Sequence, residues 1–443
     1  MNLAGEWKAY LDFDNTAIEN KLFENQLDGV SVKLPGTTNE NKLGEKLKFD
    51  YQMNKDNVRS LRQEYKYIGK AFYERYVNIP KEWEDKEITL FFERIMIKST
   101  LWIDGIFAGE CDSISTPHTY NITKFVQAGK THRLTIMIDN TDMYNLGDVA
   151  SGLSDDTQTI WNGIIGKMEI NATTKTYIKD VQVFPDIINK TVKICTEIEN
   201  KSNTQYYKEI SYTINEVSYD EQKEAFKKIS EKGVFSNTIC IPSGNIKVEY
   251  IFNMGESIHL WDEFTPNLYE LKVNFSETEK TIIFGMRDIR CEEKKIILNN
   301  EQIYMRGTLD CCYFPLTGYP ATDLNTWLKI FKTAKEYGLN HIRFHSWCPP
   351  ENAFLAADIC GIYILAENVI WLNDDKNVCI MAVGDCKQHY EYIPKEAERI
   401  VDTYGNHASF CMFSNGNELR GDFKLLENII SQLKAKDKRH IYI

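Results

Sequence analysis

From residue 286 to the C-terminus, short apolar runs of strand length alternate with longer runs of helical period. That alternation constrains the fold more than any other feature of the chain. A strand is expected over 303–307 and an amphipathic helix over 327–337, stopped by Gly338. A strand at 340–345, a helix at 351–360 ended by Gly361, and a strand at 362–367 follow. A helix over 389–404, a strand over 410–413 and a helix over 423–435 come next, and 440–443 reads as a further strand. Strands separated by helices pair in parallel, because the crossover returns the chain to the same end of the sheet. The expectation is the first part of a (β/α)8 barrel, covering about 286–443.

Barrels of this kind place functional side chains at the C-terminal ends of their strands. The candidates are therefore the polar residues just past each apolar run. Asp310 follows the first. Arg343 and His345 end the second, two apart and so on one side of a strand. Trp347 comes next, either as the floor of a ligand site or as packing under Pro349-Pro350. Glu367 ends the third strand, and Trp371 stands on its loop as an aromatic wall. Asp310 and Glu367 could bind hydroxyls or brace an Arg. The fourth run, Phe410-Cys411-Met412-Phe413, closes on Asn415-Gly416-Asn417-Glu418. Glu418 could be a carboxyl aimed into the site, or a surface residue capping the helix that starts near Asp422.

Upstream the period is different. Residues 1–173 read as short strands with turn signals, including 71–80, 88–94 and 99–105, with Asp104-Gly105 as a hairpin turn. The stretch 132–139 alternates as a half-buried strand should. A jelly-roll β-sandwich fits this pattern. Residues 174–285 repeat it on the scale of a seven-stranded immunoglobulin-like sandwich.

At 443 residues the chain is too long for one core, and its 43% hydrophobic content is that of a globular protein. A net charge of −12 argues against nucleic acid or an anionic membrane as partner, and no run of apolar residues is long enough for a membrane helix. No basic-then-apolar leader opens the sequence, so a cytoplasmic protein and a secreted one lacking its leader both remain open. Eleven cysteines form no CxxC or Cys/His cluster, so reduced thiols are expected, and no structural zinc. The 54 aromatic residues, 24 Tyr, 22 Phe and 8 Trp, suit both β-rich cores and sugar stacking.

Several segments, in order, carry a resemblance. Leu34-Pro35-Gly36-Thr37-Thr38, Ile160-Trp161-Asn162-Gly163 and Phe284-Gly285-Met286-Arg287 come first. Leu298-Asn299-Asn300 to Met305-Arg306-Gly307, Asn340-His341-Ile342-Arg343 and Asn406-His407-Ala408-Ser409 to Gly416-Asn417-Glu418 complete the series. Together they resemble glycoside hydrolase family 2, the group of β-galactosidases, β-glucuronidases and β-mannosidases. Its domain order is jelly roll, immunoglobulin-like sandwich, barrel.

The resemblance implies a retaining exo-β-glycosidase, β-galactosidase-like, with carbohydrate as the partner and self-association as a possible assembly. Glu418 would be the acid/base and Asn417 would hold the sugar 2-hydroxyl. The family's Arg is commonly followed by Ser-His, whereas this chain reads Arg343-Phe344-His345-Ser346. Asp155 and Asp156 lie where the first domain reaches the sugar in some relatives. Some relatives hold magnesium with a Glu-x-His after the third strand, but here Ile370-Trp371-Leu372 stands instead, so no metal or other cofactor is expected. The family's nucleophile sits on the seventh strand. The chain is therefore expected to be truncated within the barrel, with the nucleophile downstream and no turnover by the fragment itself. The alternative is a non-catalytic carbohydrate- or partner-binding sandwich protein with an inert barrel remnant.

Overall fold

The computed structural model describes residues 1–48, 63–147, 149–154, 157, 159–372 and 382–443. The first β-sandwich packs a six-stranded sheet on a four-stranded one. In the larger sheet, Thr131–Asp139 lies between Lys70–Asn78 and Lys98–Ile103. The Lys98–Ile103 strand returns through Asp104-Gly105, both at positive φ, into Ile106–Asp112, so the two-residue turn expected there forms. Thr131–Asp139 departs from the expectation of a half-buried strand, for its residues 132–138 are all buried. The cause is a second layer. Met137, Trp102 and Phe72 are covered by Ala17 and Leu27 from the N-terminal loop, while Leu134, Ile136 and Ile138 face the sandwich core.

The second sandwich has seven strands, from Thr176–Asp186 to Thr278–Phe284, divided three and four between two sheets. Its core is aliphatic and aromatic, built on Ile194, Tyr212, Leu271 and Phe284. An antiparallel meander, Ile289–Glu292, Lys295–Leu298 and Glu301–Ile303, leads into the last domain. This corrects the expected strand at 303–307. Asn299 and Asn300, both at positive φ, make a tight turn that commits Ile303 to the hairpin, and the barrel strand starts only at Gly307.

Five parallel strands then run in sequence order: β1 (Gly307–Asp310), β2 (His341–Phe344), β3 (Tyr363–Glu367), β4 (Phe410–Ser414) and β5 (Ile441–Tyr442). Helices α1 (Leu324–Glu336), α2 (Glu351–Cys360), α3 (Lys387–Tyr404) and α4 (Phe423–Lys436) connect them. Helices α1, α3 and α4 each bury one stripe, as in α1 with Trp327, Leu328 and Phe331, whereas α2 is buried on most sides. The barrel's hydrophobic cluster also takes in Met96, Ile114, Leu153 and Trp161 of the first sandwich. One apolar core therefore spans both domains and fixes the sandwich against the C-terminal ends of the strands. Among the described residues no helix is long and apolar enough to cross a membrane.

Candidate active site

Apolar side chains anchor β2, β3 and β4 in the core, whereas β1 is largely exposed, and the C-terminal ends of the four strands bring the expected polar residues onto one face. Arg343, the third residue of β2, is the hub. Its Nε donates to Oε1 of Glu367 at 2.6 Å, and its Nη2 donates to Oδ1 of Asn417 at 2.9 Å. Glu367 is fully buried, and its Oε2 accepts from the Ser346 backbone N–H at 2.7 Å. Burial raises the pKa of this carboxyl, and Arg343 and Ser346 pull it back. Of the two roles open to Glu367, the geometry is that of the brace.

Asn417 is also buried, and its backbone N–H donates to Ile370 O at 3.0 Å. That approach depends on Gly416, whose φ is +145° and whose missing Cβ would stand 2.6 Å from Ile370 O. Because Arg343 offers only donors, the Asn417 amide must turn its oxygen toward it. Its Nδ2 is left without a hydrogen-bond partner among the described residues. A buried N–H pair of that kind is satisfied when a ligand hydroxyl or a water accepts from it.

Glu418 follows at a left-handed φ of 46° and is exposed. Its Oε2 accepts from Trp371 Nε1 at 3.0 Å. The capping role is excluded, since the side chain of Asp422 caps α4 by accepting from Lys424 and Leu425 N–H. Trp371 also meets His345 edge to face, with ring centroids 4.9 Å apart. His345 lies one residue beyond β2, and its Nδ1 is 3.2 Å from Ser151 Oγ. Burial and the Arg343 charge lower the pKa of its imidazole, which favours the neutral ring.

Asp310 ends β1. One carboxylate oxygen accepts from Cys312 N–H at 2.8 Å, no cation pairs with it among the described residues, and burial pushes its pKa up to about 6. Of the two roles open to Trp347, floor or packing, the geometry is that of packing. Trp347 is 1% exposed, donates from Nε1 to Asp310 O at 2.7 Å, and packs edge-on against Phe344. Its faces are covered by protein, so it supports the loop from beneath.

Three participants escaped the sequence reading. Ser151 comes from the first sandwich, and its N–H donates to Ser346 Oγ at 2.7 Å across a separation of 195 residues. Ser346 itself sits at φ 51°. Cys311 is half-buried, with Asp310, Arg343 and Glu367 among the charges acting on its thiol. Nothing local to residue 151 signals a partner so distant, although Gly152 beside it is a trace, since a Cβ there would meet Val369 and Trp347. Asp155 and Asp156 lie outside the described residues. No group of metal-ligating side chains occurs among the described residues.

The chain matches three family profiles in succession. Residues 1–170 match "Glycosyl hydrolases family 2, sugar binding domain", residues 176–287 "Glycosyl hydrolases family 2", and residues 289–441 "Glycosyl hydrolases family 2, TIM barrel domain". The β-galactosidase large subunit of Lactobacillus acidophilus is 23% identical over 363 residues, 78% of this chain and 54% of that protein. A β-galactosidase of Thermoanaerobacterium thermosulfurigenes is 25% identical over 318 residues, 69% of this chain and 42% of that protein. The chain thus spans about half the length of these curated relatives. Among solved structures, a Bacteroides uniformis β-glucuronidase superposes with a TM-score of 0.73 at 18% identity, over 100% of this chain and 52% of that one. That likeness is one of fold.

Proposed function

Because the chain belongs to glycoside hydrolase family 2, we propose that it carries the acid/base side of a retaining exo-β-glycosidase site for β-galactosides. The observation that supports the reading is the Arg343 fork, which joins Glu367 to Asn417, the residue before Glu418. Glu418 protonates the departing glycosidic oxygen, then takes a proton from the water that releases the sugar. Trp371 fixes Oε2 and leaves Oε1 for the leaving group. Asn417 Nδ2 donates to the sugar 2-hydroxyl, because Arg343 holds its oxygen. Asp310 and His345 take further hydroxyls, and Trp371 walls the sugar. A retaining mechanism also uses a carboxylate nucleophile about 5 Å from the acid/base. Glu367 is committed to Arg343 and Ser346 and is not free for that role. The choice of galactoside rests on the names of the curated relatives.

The test is hydrolysis of a panel of aryl β-glycosides by the whole gene product, wild type beside Glu418→Gln. Preferred cleavage of the galactoside, lost in the variant, is the expected result. Sugar binding without turnover in both proteins would contradict it and fit a binding module. Preference for the glucuronide would correct the sugar.

A further inference from the structure

Glu418 is exposed and stands at φ 46°, so its place depends on the residues that flank it. Three residues on, Gly421 forms a parallel bridge with Val383. Val383 N–H donates to Arg420 O at 2.8 Å, and Asp422 N–H donates to Val383 O at 2.7 Å. This approach needs glycine, since a Cβ on Gly421 would clash with Val383 O. Next to Val383, Gly384 donates its N–H to Nδ1 of His389 at 3.1 Å. His389 lies in the first turn of α3 and is fully buried. With Nδ1 accepting, the ring carries its proton on Nε2, which donates to Asn145 O of the first sandwich at 2.7 Å. Two residues along the same sandwich loop, a Cβ on Gly147 would stand 2.6 Å from Trp371 O, and Trp371 in turn donates to Glu418. One sandwich loop thus backs both supports of Glu418.

Resting on the acid/base reading of Glu418, we propose that His389 is a positioning residue for that carboxyl. It ties the Asn145 carbonyl to the segment paired with Gly421, and so sets where Glu418 stands relative to the leaving oxygen. A neutral imidazole accepts at one edge and donates at the other of a rigid ring, which holds Gly384 N–H and Asn145 O at a constant separation. Phenylalanine would fill the space and keep neither bond. Glutamine offers a donor and an acceptor on a flexible stem.

The test is kcat/KM of the whole gene product on alkyl and dinitrophenyl glycosides of its preferred sugar, for wild type, His389→Phe, His389→Gln and Glu418→Ala. His389→Phe should lose about 10–10²-fold on the alkyl glycoside and far less on the dinitrophenyl one, whose leaving group needs no proton. His389→Gln should recover part of that loss. Equal losses on both substrates, no loss on either, or a Gln variant no better than Phe overturns the proposal. If Glu418→Ala shows the leaving-group dependence and His389→Phe does not, positioning fails while the acid/base reading stands. If Glu418→Ala shows none, that reading fails and this proposal with it. Should His389→Phe not fold, Gly384→Ala decides, because its Cβ would press on Asp422 and Tyr390 and displace the same segment. The same leaving-group dependence is expected there, and its absence overturns the proposal.

Discussion

Arg343 holds two groups at once: the buried carboxylate of Glu367 and the amide oxygen of Asn417. Replacing it with Met leaves the buried Glu367 carboxyl without its cation, with only the Ser346 N–H to oppose the cost of burial. The expected loss is about 3 kcal/mol of folding stability by denaturant unfolding, while Arg343→Met/Glu367→Leu should recover much of it. An equal loss in both would contradict the brace. His407 gives a second residue-scale prediction. It lies between Asp358, 2.6 Å from Nδ1, and Glu351, 3.0 Å from Nε2, and these carboxylates outweigh burial to raise its pKa to about 10. A raised value means the imidazolium stabilises the fold fully below 6.5, the unfolded value, and that contribution fades as pH rises to about 10. The stability gap between wild type and His407→Gln should therefore shrink from pH 6 to pH 10. A gap constant across that range would refute the charged imidazole. At this scale the positions of Arg343, Asn417 and Glu418 at the strand ends were legible, because the apolar runs mark where each strand stops, while their roles are proposals. Trp347 was not, since sequence order does not say whether a loop aromatic faces ligand or core.

At the scale of elements, helix ends were readable from chemistry that is local. Gly361 closes α2 at φ 69°, and Asp422 opens α4 with its side-chain cap. The strand expected at 303–307 was misplaced because Ile303 fits either a hairpin or a barrel strand, and the Asn299-Asn300 turn decides. The alternation at 132–139 likewise could not reveal a second layer supplied from about 110 residues away in the chain. The turn after β4 offers a test. Gly416→Ala should cost about 1–3 kcal/mol, as a side chain at that φ is strained and its Cβ would press on Ile370 O. The same variant should weaken ligand binding, since Asn417 would move off Ile370. Unchanged stability and binding would mean that the turn tolerates a side chain.

Across the whole molecule the first sandwich is built into the barrel. The buried Glu396 of α3 accepts from Ser113 Oγ, Ile114 N–H and Ser115 N–H of the sandwich, and Tyr404 OH donates to Ser115 O at 2.7 Å. Removing that carboxylate strands buried donors at about 1–3 kcal/mol each. Glu396→Ala is accordingly expected to lower the unfolding midpoint and separate one transition into two by calorimetry. A single transition at the wild-type temperature would contradict a coupled interface. None of this clasp was legible beforehand, because it joins segments some 280 residues apart. The domain classes were legible, since periodicity is a local property.

An acid/base role for Glu418 has a direct kinetic consequence. The most direct test compares Glu418→Ala with wild type, in the whole gene product, on two β-galactosides. One carries a dinitrophenyl group that leaves without protonation, the other an alkyl group that needs it. Loss of an acid predicts a fall of about 10²–10⁴ for the alkyl substrate in the glycosylation step and a far smaller one for the activated substrate. Equal losses on both, or no loss on either, would contradict the assignment.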